Sequence, residues 1–479
     1  MKDGTVRLSR AALGRLPAGV AAPAHDPAAL TPGIVHVGVG NFHRAHMGVY
    51  LDQLFGLGRD HDWGLVGAGV RPGDAAMRDR LAAQDWLTTV VELEPAALSA
   101  RVTAPMCGFA EVAPGPTVAA MADPRVRIVS LTVTEGGYFT DAGGGFDGDH
   151  PEIAADAASE GPPRTAFGMI LAALRARRAA GAGGLTVMSC DNLQGNGHKA
   201  RQALEGLAAL RGEGALLDGV TTPNGMVDCI TPATDDAVRA MVADTFGLAD
   251  AAPVVCEPFR QWVLEDDFAA GRPALEAVGV EFVRDVVPHE LMKLRVLNAA
   301  HAAIAYVGAL LGYRMVHDAV GDADVGAWVR ALIAREAIPT LAPIAGVDFG
   351  AYLDTCMERF ANGRMGDTIP RLCFDGSGRQ PQFVLPTVRD RLDAGAPVDG
   401  LALEVALWRA YCAVADPLED PRAEALRAAA AGEPARFLAL RDVFGDLGAA
   451  TPFARAFDAA CAAIEAGGPR GAIRGYVSA

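Results

Sequence analysis

The chain has few of the features that would fix its class by exclusion. Its eight cysteines, at 107, 190, 229, 256, 356, 373, 412 and 461, are scattered without a CxxC pair, which reads as reduced thiols in a cytoplasmic protein and leaves no disulfide framework. Cations are outnumbered, 42 Lys and Arg against 58 Asp and Glu. The resulting formal charge of −16 argues against nucleic acid and against anionic membrane surfaces as partners. No apolar core of a signal peptide stands in the first thirty residues, and the most hydrophobic stretch, 297–311, is short for a membrane span and contains His301. Internal repeats are absent, and the only compositional bias is towards alanine.

What is present is a soluble globular composition, 51% hydrophobic and 21% charged, in 479 residues that hold two to four domain-sized units. The front half alternates β-rich and helical segments. Strands are predicted at 34–40, 63–70, 126–133, 185–190 and 253–257, with helices after the first and over 165–180. This rhythm predicts a mostly parallel sheet with helices on both faces. The glycines 143–145 mark an exposed loop. Beyond about residue 283 helices take over, at 287–313, 324–337, 347–361, 385–394, 400–414, 421–442 and 451–466. The expected division is a Rossmann-type α/β domain over 1–283 and an α-helical substrate domain over 284–479.

The most informative segment, Lys293-Leu-Arg-Val-Leu-Asn298-Ala-Ala-His301, opens that second part inside an almost wholly apolar run. At ~100° per residue, Lys293, Asn298 and His301 fall at about 0°, 140° and 80° around a helix, with Glu290 at about 60°. A desolvated lysine has a lowered pKa and suits proton abstraction near neutral pH. Glu290 is placed to exchange protons with it. The alternative is a helix whose Lys and His snorkel to solvent at its ends.

A second signal follows the first strand. Gly38-Val-Gly40-Asn-Phe-His43 carries the first two glycines of the dinucleotide fingerprint, with His43 at the third. Two glycines let the backbone turn tightly and approach a pyrophosphate, whereas His43 prevents the usual close helix–strand contact. The second strand ends without an acid until Asp74, and Arg71 is placed to face a 2′-phosphate, so spacing leaves NAD and NADP both open. His43 and His46 lie on one helix face without a Cys or carboxylate beside them, and no metal site is assigned. Cys190 reads as a small hydrophobe ending a strand. Residues 261–267, Gln-Trp followed by an acidic run, read as a surface helix.

Six motifs occur in order: Gly38-Val-Gly-Asn-Phe-His-Arg-Ala-His46, Thr132-Val-Thr-Glu-Gly-Gly-Tyr138, Ser189-Cys-Asp-Asn-Leu193 with Asn196-Gly-His198, Met226-Val-Asp228, Cys256-Glu-Pro-Phe-Arg-Gln-Trp262, and Lys293 with Asn298 and His301. Together they closely resemble the polyol-specific long-chain dehydrogenases, the mannitol 2-dehydrogenase family, over residues 30–390. The resemblance implies a zinc-independent, nicotinamide-dependent secondary-alcohol dehydrogenase, with NAD as cofactor and NADP not excluded. It makes Lys293 the general base, pairs the amides of Asn192 and Asn298 on the reacting oxygen, and lets His301 orient the substrate hydroxyl. Glu290 becomes a proton relay to water, and Asp228 a ligand for another hydroxyl. Arg371 and Arg379 line the substrate pocket. Gly38, Gly40, Asn41, Phe42, Thr134 and Glu135 fall to the cofactor.

Two positions depart from the family's pattern. Cys229 stands where arginine is expected, and Arg379 where lysine is also common. The resemblance favours a monomer and a polyol–ketose pair such as mannitol and fructose. A hexuronate reductase acting on fructuronate or tagaturonate is the alternative within the family, with the two arginines clamping a carboxylate. A catalytically silent dinucleotide sensor is the alternative outside it.

Overall fold

The computed structural model describes residues 5–141, 143–158 and 161–479 and divides into two compact units, Met1–Val286 and Val287–Ala479. In the first, six strands form one sheet: β1 (Pro32–Val37), β2 (Gly64–Ala68), β3 (Met106–Phe109), β4 (Ile128–Leu131), β5 (Leu185–Ser189) and β6 (Val220–Thr221). Their spatial order is β6-β5-β4-β1-β2-β3, and every pairing is parallel. The chain thus runs outward from β1 through β3, returns beside β1 as β4, and continues the other way. That reversal creates a switch point between β1 and β4, where neighbouring connections leave on opposite faces.

Both faces of the sheet are covered, and the strands alternate between two apolar clusters accordingly. Val35, Val37, Val129, Leu131, Leu185 and Val187 pack on one side with helices α3 (Ala166–Ala179) and α4 (Asn196–Leu210). Ile34, Leu65, Ile128 and Met188 pack on the other with α2 (Met47–Gly56). Such two-sided burial is why the strands read as continuous hydrophobic runs. A short helix, α1 (Asn41–Ala45), connects β1 to α2.

Two features of this unit depart from the predicted elements. Thr88–Leu93 and Leu98–Thr103 form an antiparallel pair outside the main sheet. β7 (Gly225–Asp228) pairs antiparallel with β8 (Gln261–Glu265), so residues 261–265 are a strand and no surface helix. Trp262 is fully buried there, and the acidic run merely follows the strand's end.

The second unit is helical. Residues 287–310 run as α5 (Val287–Met292), a π-helical turn (Lys293–Asn298) and α6 (Ala299–Leu310). Further on come α7 (Ile369–Cys373), α8 (Gly376–Phe383), α9 (Asp399–Val414) and α10 (Thr451–Ser478). An aromatic core joins the later helices, with Trp408 edge-on to Phe437 at 4.9 Å and Phe437 against Phe444 at 5.8 Å. The single helix predicted over 421–442 is three short ones, Ala423–Ala430, Pro434–Leu438 and Arg441–Phe444, because Gly432 and Pro434 interrupt it. Conversely, α10 continues beyond residue 466 through a kink at Gly468 (φ 67°) before Pro469. The Arg335 guanidinium holds its end by donating to the Tyr476 and Val477 carbonyls, both at 3.0 Å. Among the described residues no helix is long and apolar enough to cross a membrane.

Candidate active site

In the first unit the predicted cofactor residues gather at the carboxyl end of the sheet, on the switch point. Gly38 follows β1 with φ 93°, and a Cβ there would lie 2.1 Å from the Thr132 carbonyl oxygen. Glycine is therefore required twice over, for conformation and for space. The Thr132 hydroxyl donates to Gly38 O at 2.6 Å and locks the turn to the end of β4. A cavity of about 160 Å³ opens here, lined by Gly38, Val70, Arg71, Asp74, Thr132 and Thr134 among others.

His43, at the third glycine position, does not hold the helix away from the strand as the sequence implied. Its ring stacks on that of His36 in β1 with centroids 3.5 Å apart. His36 spans Ser130 Oγ at 2.8 Å and Thr132 Oγ1 at 3.0 Å. Burial pushes its pKa down to about 3, and burial also holds His43 well below the usual histidine range, so two neutral rings stack without repulsion. α1 spans only five residues, so its dipole is small and the bare backbone of residues 38–40 is what an anion would meet. Asn41 is held by Arg44, whose guanidinium donates to its Oδ1 at 2.7 Å, and itself donates to Pro232 O at 3.1 Å. Phe42 stacks on His46 at 4.7 Å. His46 Nε2 lies 3.0 Å from Gln261 O. Among the described residues no group of three or more His, Cys, Asp or Glu is placed to hold a metal.

The second strand's missing acid is supplied by the fold. Asp74 turns back on the end of β2, where its Oδ2 accepts from Val70 N at 2.8 Å and Arg71 N at 2.9 Å. Arg71, which the spacing left open to face a phosphate, donates to both oxygens of Glu152 at 2.5 and 3.0 Å.

Thr134 and Glu135 follow β4 on the surface, and Asn192 follows β5, also exposed. Asp191 lies between them in space, although sequence reasoning gave it no role. Asp228 ends β7, 5% exposed, opposite Gln261. At the departing position, Cys229 packs with Ala45, Val90, Val254 and Cys256. The nearby guanidinium comes instead from Arg260, bonded to Glu92 at 2.5 Å and to Cys256 Sγ at 3.5 Å.

In the second unit, Glu290, Lys293 and His301 are all buried, at 5%, 8% and 7% exposure, and Asn298 is half-buried. The predicted helix is present, but the segment from Lys293 to Asn298 is a π turn, whose hydrogen bonds reach five residues instead of four. Lys293 and Asn298, five apart, therefore stand on the same side of successive turns instead of the ~140° apart that α-geometry gives. Such turns recur at functional sites.

His301 rests against Phe360 at 4.3 Å, and its Nε2 is buried without a partner among the described residues. Burial pushes its pKa down to about 3, with Arg371, Arg379 and Arg359 adding to the effect and Asp367 opposing it. The imidazole is neutral at any physiological pH. The same contributions place Arg371 and Arg379 within electrostatic reach of the ring. Arg371 donates to both oxygens of Asp367 at 2.6 Å each. Arg379, on α8, donates to Leu372 O at 2.6 Å.

An all-parallel sheet in this strand order, with a glycine turn and a crevice at the switch point, defines a dinucleotide-binding unit of the kind nicotinamide oxidoreductases use. The particular family follows from comparison. The mannitol dehydrogenase Rossmann domain profile matches residues 32–277, and the mannitol dehydrogenase C-terminal domain profile matches residues 285–465. The chain belongs to the mannitol dehydrogenase family. It is 51% identical to a mannitol 2-dehydrogenase of Cereibacter sphaeroides over 96% of this chain and 99% of that one. Among solved structures it is similar to Pseudomonas fluorescens mannitol 2-dehydrogenase in a ternary complex with NAD and D-mannitol (TM-score 0.85, 40% identity, 99% of this chain and 100% of that one). It is also similar to a substrate-free D-sorbitol dehydrogenase (TM-score 0.90, 33% identity, 97% of this chain and 100% of that one).

Proposed function

We propose that this protein is an NAD-dependent polyol dehydrogenase that interconverts mannitol and fructose without zinc. The observation that carries the chemistry is the buried, neutral His301 imidazole, its Nε2 without a hydrogen-bond partner among the described residues, on the helical run that also presents Lys293 and Asn298. A ring held neutral to about pH 3 hydrogen-bonds a hydroxyl but does not take its proton at neutral pH. That leaves the Lys293 amine as the base, with Glu290 one turn away to pass the proton on. Asn298 and Asn192 each donate an amide N–H to the reacting oxygen as negative charge develops on it. Asp228, Arg371 and Arg379 hold the remaining hydroxyls.

Arg371 already meets Asp367 through two nitrogens, which supports a neutral polyol over a uronate whose carboxylate would need that fork. NAD fits the first unit. The Gly38 turn leaves no room for a side chain, Asp74 in the crevice suits a ribose hydroxyl and repels a phosphate, and Arg71 is engaged by Glu152. When bound, the nicotinamide accepts the hydride that the alcohol carbon gives up. Gly38, Gly40, Asn41, Phe42, Thr134 and Glu135 are the residues assigned to it. The functional division we propose is 1–283 for the cofactor and 284–479 for the substrate.

The test is nicotinamide absorbance with purified protein, NAD⁺ or NADP⁺, and mannitol, arabinitol, sorbitol, mannonate and altronate in parallel. Reduction of NAD⁺ by mannitol, undiminished by a chelator, is expected. Activity with the acids alone would move the substrate to the uronates. Loss of activity on chelation would reopen the question of a metal.

A further inference from the structure

Thr134 occupies a backbone conformation, φ 65° and ψ 167°, that is essentially reserved for glycine. A β-branched residue there is strained, and strain of this kind persists only where its surroundings enforce it. The enforcing group is the Asp191 carboxylate. Its Oδ2 accepts from Val133 N at 3.0 Å and its Oδ1 from Thr134 N at 2.9 Å, so the amide of the strained residue and the amide before it end on one side chain. Tyr138, at the far end of the same loop, donates its hydroxyl to Oδ2 at 2.6 Å and shares Ser189 Oγ at 2.5 Å.

The backbone of Asp191 is equally committed. Its carbonyl accepts from Leu193 N at 2.9 Å, closing a tight turn with Asn192 at the centre, and from Asn196 Nδ2 at 3.1 Å. Asn196 in turn exchanges bonds with Gly225 at 2.8 and 2.9 Å, the first residue of the strand that ends in Asp228. One residue therefore meets the loop after β4, the turn after β5 and, through Asn196, the start of β7.

We propose that Asp191 is a positioning residue that holds Thr134 in its strained state and fixes Asn192 beside it, so that the cofactor loop and the amide turn are set together. The inference rests on the dehydrogenase reading for what the loop binds, but the lock itself does not depend on it. Asp191→Asn replaces an acceptor-only group by one whose NH₂ faces N–H and O–H donors, so one of its loop bonds is lost. NADH affinity should fall about tenfold or more, the scale on which strain of this kind is stored.

The discriminating variant is Thr134→Gly. Glycine takes this conformation without strain, so Asp191→Asn in the Thr134→Gly background should cost far less affinity than in the wild type. A general loss of stability would not be suppressed in this way. The measurements are NADH titration by fluorescence for the four proteins and amide hydrogen exchange of residues 133–138. Slow exchange at Val133 and Thr134 in the unmodified protein, despite the exposure of Thr134, is the expected sign of the lock. Fast exchange there overturns the proposal even if Asp191→Asn does not fold. So does wild-type affinity in a folded Asp191→Asn protein, or equal losses in both backgrounds. Protein that binds no NADH at all but shows the protected amides would overturn the dehydrogenase reading and leave the lock standing.

Discussion

The helical unit contains two π turns that differ in one respect. Lys293–Asn298 and Ile333–Ala337 share the same local widening of the backbone. In the second, the group presented is fully satisfied: Glu336 accepts from Gly400 N at 2.7 Å, Leu401 N at 3.0 Å and the Tyr476 hydroxyl at 3.0 Å. It caps the amino end of α9 and ties it to the last turns of α10. The run that follows the first turn instead carries His301, whose buried Nε2 has no hydrogen-bond partner among the described residues. A buried polar atom left without a partner costs free energy, and proteins keep such atoms where a ligand completes them. The same backbone irregularity thus supports architecture in the second place, and in the first it carries the residues to which the proposed function gives the chemistry.

Substitutions on the two turns should separate rate from stability. Lys293→Ala is expected to lower turnover by 10²–10⁴-fold with NADH affinity nearly intact. Stopped-flow and binding measurements check this, and unchanged turnover would remove Lys293 from the chemistry. Asn298→Ala should cost about 10²-fold in turnover, the scale of one lost oxyanion donor, again with little effect on cofactor affinity. A larger loss in affinity than in rate would place this turn away from the reacting oxygen. Glu336→Ala should do the reverse, destabilising the protein by about 2–4 kcal/mol in thermal or denaturant unfolding while turnover per folded molecule stays the same.

The smallest effect concerns a second acid. Glu404 is buried and accepts from the Gln380 amide, at 2.7 and 3.0 Å, and burial pushes its pKa up from 4.5 to about 8. The fold therefore favours its protonated form. The stability this contributes is complete below about pH 4.5 and is lost as pH rises through about 8. Glu404→Gln should flatten that part of the stability–pH curve, and a variant with the wild-type slope would show that another group carries it.

Much of the candidate site was legible in one dimension because its signals are local. A glycine pair ending a strand and a lysine inside an apolar helix are each unusual for reasons that need no neighbours. Lys293 has a further mark: it is one of three lysines, with Lys2 and Lys199, in a chain whose other cations are arginine. Arginine is not a titratable base at neutral pH, so a buried lysine among so many arginines points to proton transfer. Residues whose roles depend on distant partners were not legible. Asp191 makes its bonds to residues 53 to 58 positions away, and His43 owes its place to a ring seven residues earlier on another element. Gln261–Glu265 was read as a helix because its acidic tail resembles a surface run, whereas pairing with β7 buries it as a strand.

The sequence alone determined that strands and helices alternate in the first part, that helices fill the second, and which residue types carry the chemistry. Periodicity and composition are properties of neighbours along the chain. Tertiary structure alone decided the strand order that creates the switch point, the return of Asp74 to the end of β2, and the engagement of Arg71 by Glu152. It also widened the Lys293 helix into a π turn that brings Lys293 and Asn298 onto one side. These outcomes depend on long-range packing and on which polar groups find partners, and neither is encoded in the local pattern.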